Sequence, residues 1–326
     1  SYISKINYNY SEKYLVELIG RRDGNSKFSE GNKFRNFGSA SLGWVFTSED
    51  FLQPITPVVN FGKVRLSYGS LGNDSGIGNF AYASLINQGI GILGEPASSQ
   101  VSTSLANAGL VSLDNVWEVV SQKNIGVDLH FLNSRLTGSF DYFIKDNKDM
   151  LVSVEYPQLL GGTAPKTNNG HLNVKGWEVT VGWRDKIKDF SYYVNFNIGD
   201  TKSLLKEMEG ADTYGAGKNA RVVGYPLNSY FLYRTDGFFK DQAEVDRYYA
   251  LYGKNGAALG NVGQGTITEL RPGDTKRVDL NGDYVITGDG SSNSDLQYLG
   301  DANPHYVFGI TVGGSWKGFD LNAFFQ

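Results

Sequence analysis

Strict alternation of apolar and polar residues recurs along nearly the whole chain and constrains the fold more than any other feature. In "NIGVDLHF", Ile125, Val127, Leu129 and Phe131 share one parity, while Asn124, Gly126, Asp128 and His130 share the other. A tight turn at Asn133–Ser134 leads into "RLTGSFDYFI", where Leu136, Phe140, Tyr142 and Ile144 oppose Arg135, Thr137, Ser139 and Asp141. "GWEVTVGWR" sets Trp177, Val179, Val181 and Trp183 against Glu178, Thr180 and Arg184. "YYVNFNIG" sets Tyr192, Val194, Phe196 and Ile198 against Tyr193, Asn195 and Asn197, and "KVRLSYG", "YVFGITVGG" and "FDLNAFF" repeat the scheme. Successive side chains of a strand point to opposite faces, so period two marks antiparallel strands with one apolar and one wet face. In these strands the apolar parity carries no charge.

Two architectures produce this signal. A soluble sandwich turns its apolar faces to a shared core. A transmembrane barrel turns them to lipid and its polar faces to a wet lumen. Three features favour the barrel. The strands reach roughly the 9–11 residues a tilted membrane strand needs. Aromatics such as Tyr142, Phe143, Trp177 and Trp183 crowd the strand ends, where an interfacial girdle would lie. Connections alternate in length: Ser11–Lys13 short, Asp23–Phe37 long, Asn133–Ser134 short, Asp146–Lys175 long, Lys186–Asp189 short. Short turns at one rim with long loops at the other are a barrel habit.

Composition narrows the field further. Lys and Arg total 30 against 34 Asp and Glu, a net charge of -4, which lacks the cationic excess that phosphate backbones demand and makes nucleic acid an unexpected partner. The 41 glycines, 20 tyrosines and 19 phenylalanines suit many strands joined by many turns. With no cysteine there is neither a disulfide framework nor a thiolate metal site. No apolar run approaches the roughly 20 residues of a membrane helix, and residues 1–10 already alternate like a strand rather than a leader peptide. A chain that opens without Met and stops inside "FDLNAFFQ" reads as a fragment.

Eight strands carry the chain to about Gly199 and two more occupy His305–Gln326. A single additional spanning strand between them would reverse the up-down order. The span 200–304 is therefore expected to be one large extracellular excursion, with a non-spanning strand at "SYFLYRTDGFF" and a short helix at "DQAEVDRYYALYG".

Several stretches, in order, resemble the SusC/RagA family of TonB-dependent outer-membrane transporters. They are "RRDGNSKFSEGNKFRNFGSASLGWVFTSEDF", "KVRLSYGSLGN", "WEVVSQKNIGVDLHFLNSRLTGSFDYFIKDNKDML", "NNGHLNVKGWEV", "GYPLNSYFLYRTDGFF", "RPGDTKRVDLNGD" and "LGDANPHYVFGITVGGSWKGFDLNAFFQ". The resemblance covers nearly the whole chain. It implies an all-β fold: part of an antiparallel transmembrane β-barrel of about 22 strands with long extracellular loops, the whole of 1–326 being barrel domain. It also implies import of an oligosaccharide or peptide across the bacterial outer membrane, under a SusD-like surface lipoprotein and driven through TonB. The plug and TonB box of the family have no counterpart in these residues.

Candidate site residues follow from parity and position. A wide barrel with a wet interior explains charges at Lys63, Arg65, Asp128, Asp141, Glu178 and Arg184, with His130, on the lumen-facing parity, where they solvate the wall, pair with a plug or touch substrate. On lipid each would cost several kcal/mol. Accordingly Val127→Asp should block assembly, whereas Asp128→Asn should be tolerated. Tyr82, Tyr214, Tyr225, Tyr230 and Tyr233 lie in loop segments and could stack on sugar rings or pack the loops together. The segment Ser70–Asn115, rich in Gly, Ser, Asn and Ala, reads as an outer loop, and "GIGNF" and "GIGILGEP" (Gly89–Pro96) within it read as flexible loop rather than phosphate cradles.

"RVDLNGDYVITGDG" begins like a calcium loop. Asp279, Asn281 and Asp283 fit alternate ligand positions, Val285 can offer its carbonyl, and Asp289 is the nearest later carboxylate. Tyr284 stands where such loops want glycine, a strain of roughly 1–2 kcal/mol at positive φ. The family the chain resembles tends to have glycine there. The alternatives are a calcium ion stiffening an outer loop and a metal-free cluster of Asx turns. No catalytic site is expected: His130, His171 and His305 fall in separate segments and no Gly-x-Ser-x-Gly elbow is present. Two other functions compete with active import. One is a passive porin; the other is a soluble secreted glycan-binding β-protein stiffened by calcium.

Overall fold

The computed structural model describes residues 1–83, 86–93, 100–107, 110–153, 165–210, 212–215, 220–256, 269–288 and 294–326. The chain divides into two units, Ser1–Gly210 with Pro304–Gln326, and Ala211–Asn303.

The first unit is built on one ten-stranded antiparallel sheet. Its strands are β1 (Tyr2–Tyr10), β2 (Tyr14–Gly24), β3 (Phe34–Trp44), β4 (Val59–Asn73), β7 (Glu118–Phe131), β8 (Leu136–Ser153), β9 (Lys166–Ile187), β10 (Phe190–Glu207), β15 (Val307–Trp316) and β16 (Phe319–Phe325), neighbouring one another in that order. Between β4 and β7 a separate ribbon pairs β5 (Ile86–Leu93) with β6 (Gln100–Asn107). Tight turns close β1–β2, β7–β8, β9–β10 and β15–β16 at one rim. Their backbone enters the left-handed region at Ser11, Glu12, Asn133, Ser134, Lys188, Lys317 and Gly318, as the twist of a close hairpin requires.

The apolar parity remains uncovered. Leu66, Ile125, Phe140 and Val181 are 40–46% exposed in mid-strand, so no second layer buries them among the described residues. In β10 the outward row runs Phe190, Tyr192, Val194, Phe196, Ile198. Eight residues of rise make roughly 27 Å, and a tilt of about 40° reduces this to roughly 20 Å of height, close to a barrel's apolar band of about 25 Å. Further along, the same row turns polar: Tyr142 sits opposite Trp177, then Ile144 opposite Lys175, then Asp146 opposite Asn173. That change of composition ends the apolar band of the sheet.

The buried core of this unit lies beyond that boundary, at the rim of long connections. Phe28, Phe37, Ile77, Trp117 and Leu151 pack together, with the Phe28 and Trp117 rings stacked at 5.0 Å. Buried Glu118 ties three strands there by accepting hydrogen bonds from Asn73 Nδ2 (2.7 Å) and the Leu151 N–H (2.8 Å).

The structure corrects several sequence-based boundaries. Strands continue into the long connections, β8 to Ser153 and β9 from Lys166, so the Asp146–Lys175 connection shrinks, as does Asp23–Phe37. Tyr142, Phe143 and Trp177 consequently lie within strands rather than at their ends. The physical reason is that ladder hydrogen bonds persist beyond the apolar band while the apolar alternation that marks a strand in sequence fades. Likewise, Ser70–Asn115 is not all loop: β4 reaches Asn73, and Ile86–Leu93, which includes "GIGIL" (Gly89–Leu93), is strand.

The second unit carries β11 (Ser229–Tyr233), β12 (Thr235–Phe238), helix α1 (Gln242–Gly256), β13 (Thr275–Arg277) and β14 (Leu296–Asp301). β11 pairs with β14, and β12 with β13. "SYFLYRTDGFF" is thus two strands in two different ribbons, broken at Arg234. Strand β10 also runs on to Glu207 before this unit begins. The helix starts as its sequence dictates: Asp241 Oδ1 caps the Glu244 N–H (2.8 Å), while Glu244 reaches back to the Lys240 N–H (2.7 Å). Its apolar side buries Val245 against Phe239 and Leu270.

Candidate functional site

The polar face of the sheet assembles its charges through register. Arg65 on β4 lies opposite Gly126 on β7, Gly126 opposite Asp141 on β8, and Asp141 opposite Glu178 on β9. The neighbouring row places Lys63 opposite Asp128 and Asp128 opposite Ser139. Arg65 bridges both rows. Its Nε and Nη2 donate to Asp128 (2.8 and 3.1 Å), and Nη2 also donates to Asp141 (2.8 Å).

Gly126 makes this possible. A Cβ there would stand 2.5 Å from Asp141 Oδ1 and 2.7 Å from Arg65 Nη2, so the guanidinium occupies the space of the missing side chain. The three side chains stay 21–34% exposed, although the Asp141 Oδ1 atom itself is buried without a hydrogen-bond partner.

Of the other lumen-facing candidates, Lys63 and Glu178 neighbour the triad in register, while His130 and Arg184 lie nearer the tight-turn rim. The Lys63 stem lies over Gly43 and that of Glu178 over Gly199. His130 lies tilted at 40° against Phe61, 4.9 Å between ring centroids, and shares a 3.3 Å hydrogen bond between Nδ1 and Ser134 Oγ. Arg184 donates from Nε to the Ser134 carbonyl at 3.0 Å. His130 and Arg184 sit toward the tight-turn rim and line a groove of about 1110 Å³ with Thr137, Tyr193, Asn195 and Asn322. The Tyr193 ring lies over Gly313 opposite it, where a Cβ would stand 2.3 Å from the ring.

In the second unit the "DLNGDYV" loop is held by its own side chains. Asp279 accepts the N–H groups of Gly282 (2.7 Å) and Tyr284 (2.9 Å), Asn281 that of Asp283 (2.9 Å), and Asp283 that of Val285 (2.8 Å). Tyr284 has φ 64°, so the position where calcium loops want glycine does adopt the left-handed region, with a bulky residue in it. Asp289 lies outside the described residues. Among the described residues no three His, Cys, Asp or Glu side chains converge as a metal cluster. The Asp279 and Asp283 carboxylates and the Asn281 amide oxygen are nevertheless hard-oxygen donors of the kind calcium takes.

The carboxylate beneath the loop is Asp295, fully buried, which accepts the N–H groups of Leu280 (2.7 Å) and Thr287 (2.9 Å). Sequence spacing offers no cue to it, since it falls outside the alternate positions that mark the loop.

The loop tyrosines divide. Tyr214 and Tyr225 pack edge-on against Phe231 at 5.1 and 5.0 Å, and Tyr225 also meets Tyr298 at 5.1 Å. Tyr233 lies under the Arg277 guanidinium at 4.2 Å. Tyr230 is half-buried in β11, and Tyr82 is half-buried in the connection after β4.

Residues 5–321 match the family model described as "TonB dependent receptor-like, beta-barrel". The chain is 29% identical over 332 residues to TonB-dependent receptor P3 of Formosa agariphila, covering all of this chain and 31% of that protein. It is 31% identical over 251 residues to TonB-dependent receptor SusC of Bacteroides thetaiotaomicron, covering 72% of this chain and 25% of SusC. The fold is shared with the structure of the RagAB peptide transporter, at a TM-score of 0.72 and 21% identity over 99% of this chain and 32% of that one. The chain therefore spans about a third or less of the length of the curated relatives it matches.

Proposed function

This chain belongs to the TonB-dependent receptor-like β-barrel family, and from that premise we propose that it forms about half of the barrel wall of an outer-membrane importer for an oligosaccharide or peptide. The protein is SusC- and RagA-like and is not an enzyme. The observation that carries the proposal is the asymmetry of the sheet. One parity is apolar and exposed; the other is charged, glycine-spaced and wet. A wall of that kind separates hydrocarbon from an aqueous path.

In this reading Arg65, Asp128 and Asp141 hold a hydrated wall, and His130, Arg184 and Tyr193 line the groove near the tight-turn rim. The long connections form the face that meets substrate and a SusD-like lipoprotein. Energy enters through TonB, by a segment outside these residues. Calcium at Asp279, Asn281, Asp283 and the Val285 carbonyl, with Asp289 as a further donor, would stiffen one outer connection, a structural role in this reading.

The test uses cells producing the full-length protein and measures uptake of fluorescent oligosaccharides and peptides with and without functional TonB. Loss of uptake of one class without TonB is expected. Unchanged uptake would mean a passive pore instead, and recovery of the protein in the aqueous phase of a detergent partition would remove the membrane reading altogether.

A further inference from the structure

The connection between β3 and β4 behaves differently from the other links at the tight-turn rim. It is longer, holding two short 3-10 turns at Phe46–Ser48 and Asp50–Ile55, and it folds onto the outward face of the sheet. Three contacts establish this. Buried Glu49 accepts hydrogen bonds from the Tyr14 hydroxyl (2.7 Å) and Trp44 Nε1 (3.2 Å), both on the outward parity opposite one another. The Phe46 ring lies against Trp44 at 5.9 Å and fills the space over Gly62, also on that parity, where a Cβ would be 2.1 Å from the ring. Thr47 then seals the join, accepting the Gly62 N–H at 3.0 Å.

Having docked on the outward face, the segment turns apolar side chains away from the protein. Phe51 is 70% exposed, Val58 64% and Ile55 37%, and Leu52 is half-buried beside them. Nothing among the described residues covers these side chains. They continue the apolar surface of Tyr14, Leu42 and Trp44, while Asp50 and Gln53 supply polar groups to the same short stretch.

We infer that the two turns on either side of Glu49 form an interfacial foot: Phe51, Ile55 and Val58 insert at the headgroup–acyl boundary of the membrane leaflet on the tight-turn side. An apolar face flanked by polar groups and joined to a Trp/Tyr rim is the composition that settles at that depth. The inference rests on the outward parity facing lipid, as proposed above. It adds a lipid contact made by a connection rather than by a strand.

The experiment attaches an environment-sensitive fluorophore to single cysteines in the full-length protein, reconstituted in phosphatidylcholine vesicles containing spin-labelled lipids. This chain has no cysteine of its own, and any cysteine elsewhere is replaced. Labels at Phe51→Cys, Ile55→Cys and Val58→Cys are expected to lose fluorescence to shallow spin labels and to escape iodide. Ile125→Cys on the outward parity should lose fluorescence to spin-labelled lipid, and Gln122→Cys on the inward parity should not. Quenching at Ile125 with iodide access at Phe51, Ile55 and Val58 overturns the foot and leaves the barrel reading standing. Shielding of those three labels from both quenchers also overturns it, because another polypeptide then covers them. No lipid quenching at Ile125 overturns the parity assignment itself.

Discussion

Phe140 in the sheet and Phe231 in the excursion are the same residue type in strands of the same chain, yet one is 45% exposed and the other 4%. The second unit buries its apolar side chains in two clusters, Ala220, Val222 and Phe231 in one and Phe239, Val245 and Leu270 in the other. Such cores are what water demands of a small β-rich unit. The sheet does the reverse, presenting aliphatic and aromatic side chains along one parity of strand after strand. The contrast between the two units supports the proposal that hydrocarbon meets the sheet's outward face.

The most direct way to break this comparison is to place a charge on each parity. Val127→Asp puts a carboxylate in lipid at a cost of roughly 2 kcal/mol or more, and heat-modifiable migration of the full-length barrel should disappear. Asp128→Asn, one residue away, removes one arm of a partly exposed ion pair worth about 1 kcal/mol or less, and the barrel should still assemble. Equal tolerance of both changes would make the outward rows a protein–protein interface instead.

A smaller effect comes from the glycines of the two parities. Gly126→Val drives a side chain into the Arg65–Asp141 contact and should lower barrel stability by about 1–2 kcal/mol. Gly138→Val, on the outward face, meets nothing nearer than a carbonyl oxygen at 4.0 Å and should leave the unfolding midpoint unchanged or slightly raised. Urea unfolding of the detergent-solubilised protein reads both. If the two variants lose stability equally, the guanidinium is not held by the space over Gly126.

Within the second unit, the loop at Asp279 offers a finer comparison between two left-handed residues. Gly282, at φ 77°, has the conformation at no cost, whereas Tyr284, at φ 64° and 60% exposed, bears it with little packing in return. Gly282→Ala should therefore destabilise the loop by about 1 kcal/mol, and Tyr284→Gly should stabilise it by up to about 1 kcal/mol. Rates of proteolytic cleavage in the loop, with and without calcium or a chelator, measure both. A Tyr284→Gly loop cut faster than the parent in either condition would show that the ring has a contact that matters more than its backbone strain.

What could be read from sequence followed the same division. Lipid enforces parity, so ten strands and their order were legible wherever Val127, Val179 or Val194 alternate with polar neighbours. Above the apolar band, Asp146, Asn173 and Lys175 take the outward positions, the alternation loses its contrast, and the continuation of β8 and β9 was invisible. Helix α1 was legible from the helical spacing of Ala243, Val245, Tyr248, Tyr249 and Tyr252, whereas the cap formed by Asp241 and Glu244 emerged only in the structure. The Arg65 triad was legible only as separate charges: its assembly depends on inter-strand register and on the gap at Gly126, neither of which a single strand encodes. Asp295 and Glu49 were missed for a related reason. Each joins a nearby donor to one farther along the chain, Trp44 with Tyr14 for Glu49 and Thr287 with Leu280 for Asp295, and neither belongs to a spaced motif.

The smallest expected effect tests whether the second unit obeys ordinary aqueous electrostatics. The Glu244 carboxylate is held below the usual glutamate range, first by the Lys240 backbone N–H and then by the Lys276 ammonium at 2.9 Å. Lys276 is correspondingly raised by its hydrogen bond to Glu244. A depressed acid contributes stability that is present above its unfolded pKa and lost as pH falls through the folded value, whereas a raised base contributes below its unfolded pKa and loses it as pH rises through the folded one. The pair should thus anchor the start of α1 fully between the ordinary glutamate and lysine ranges and weaken on either side. Hydrogen exchange of the helix amides, taken as the ratio of Glu244→Gln to the parent protein, should exceed one across that window and approach one below the glutamate range. A ratio that stays high in acid would mean that the charge of Glu244 is not what anchors the helix, since below the glutamate range both side chains are neutral and glutamine keeps an oxygen for the Lys240 N–H.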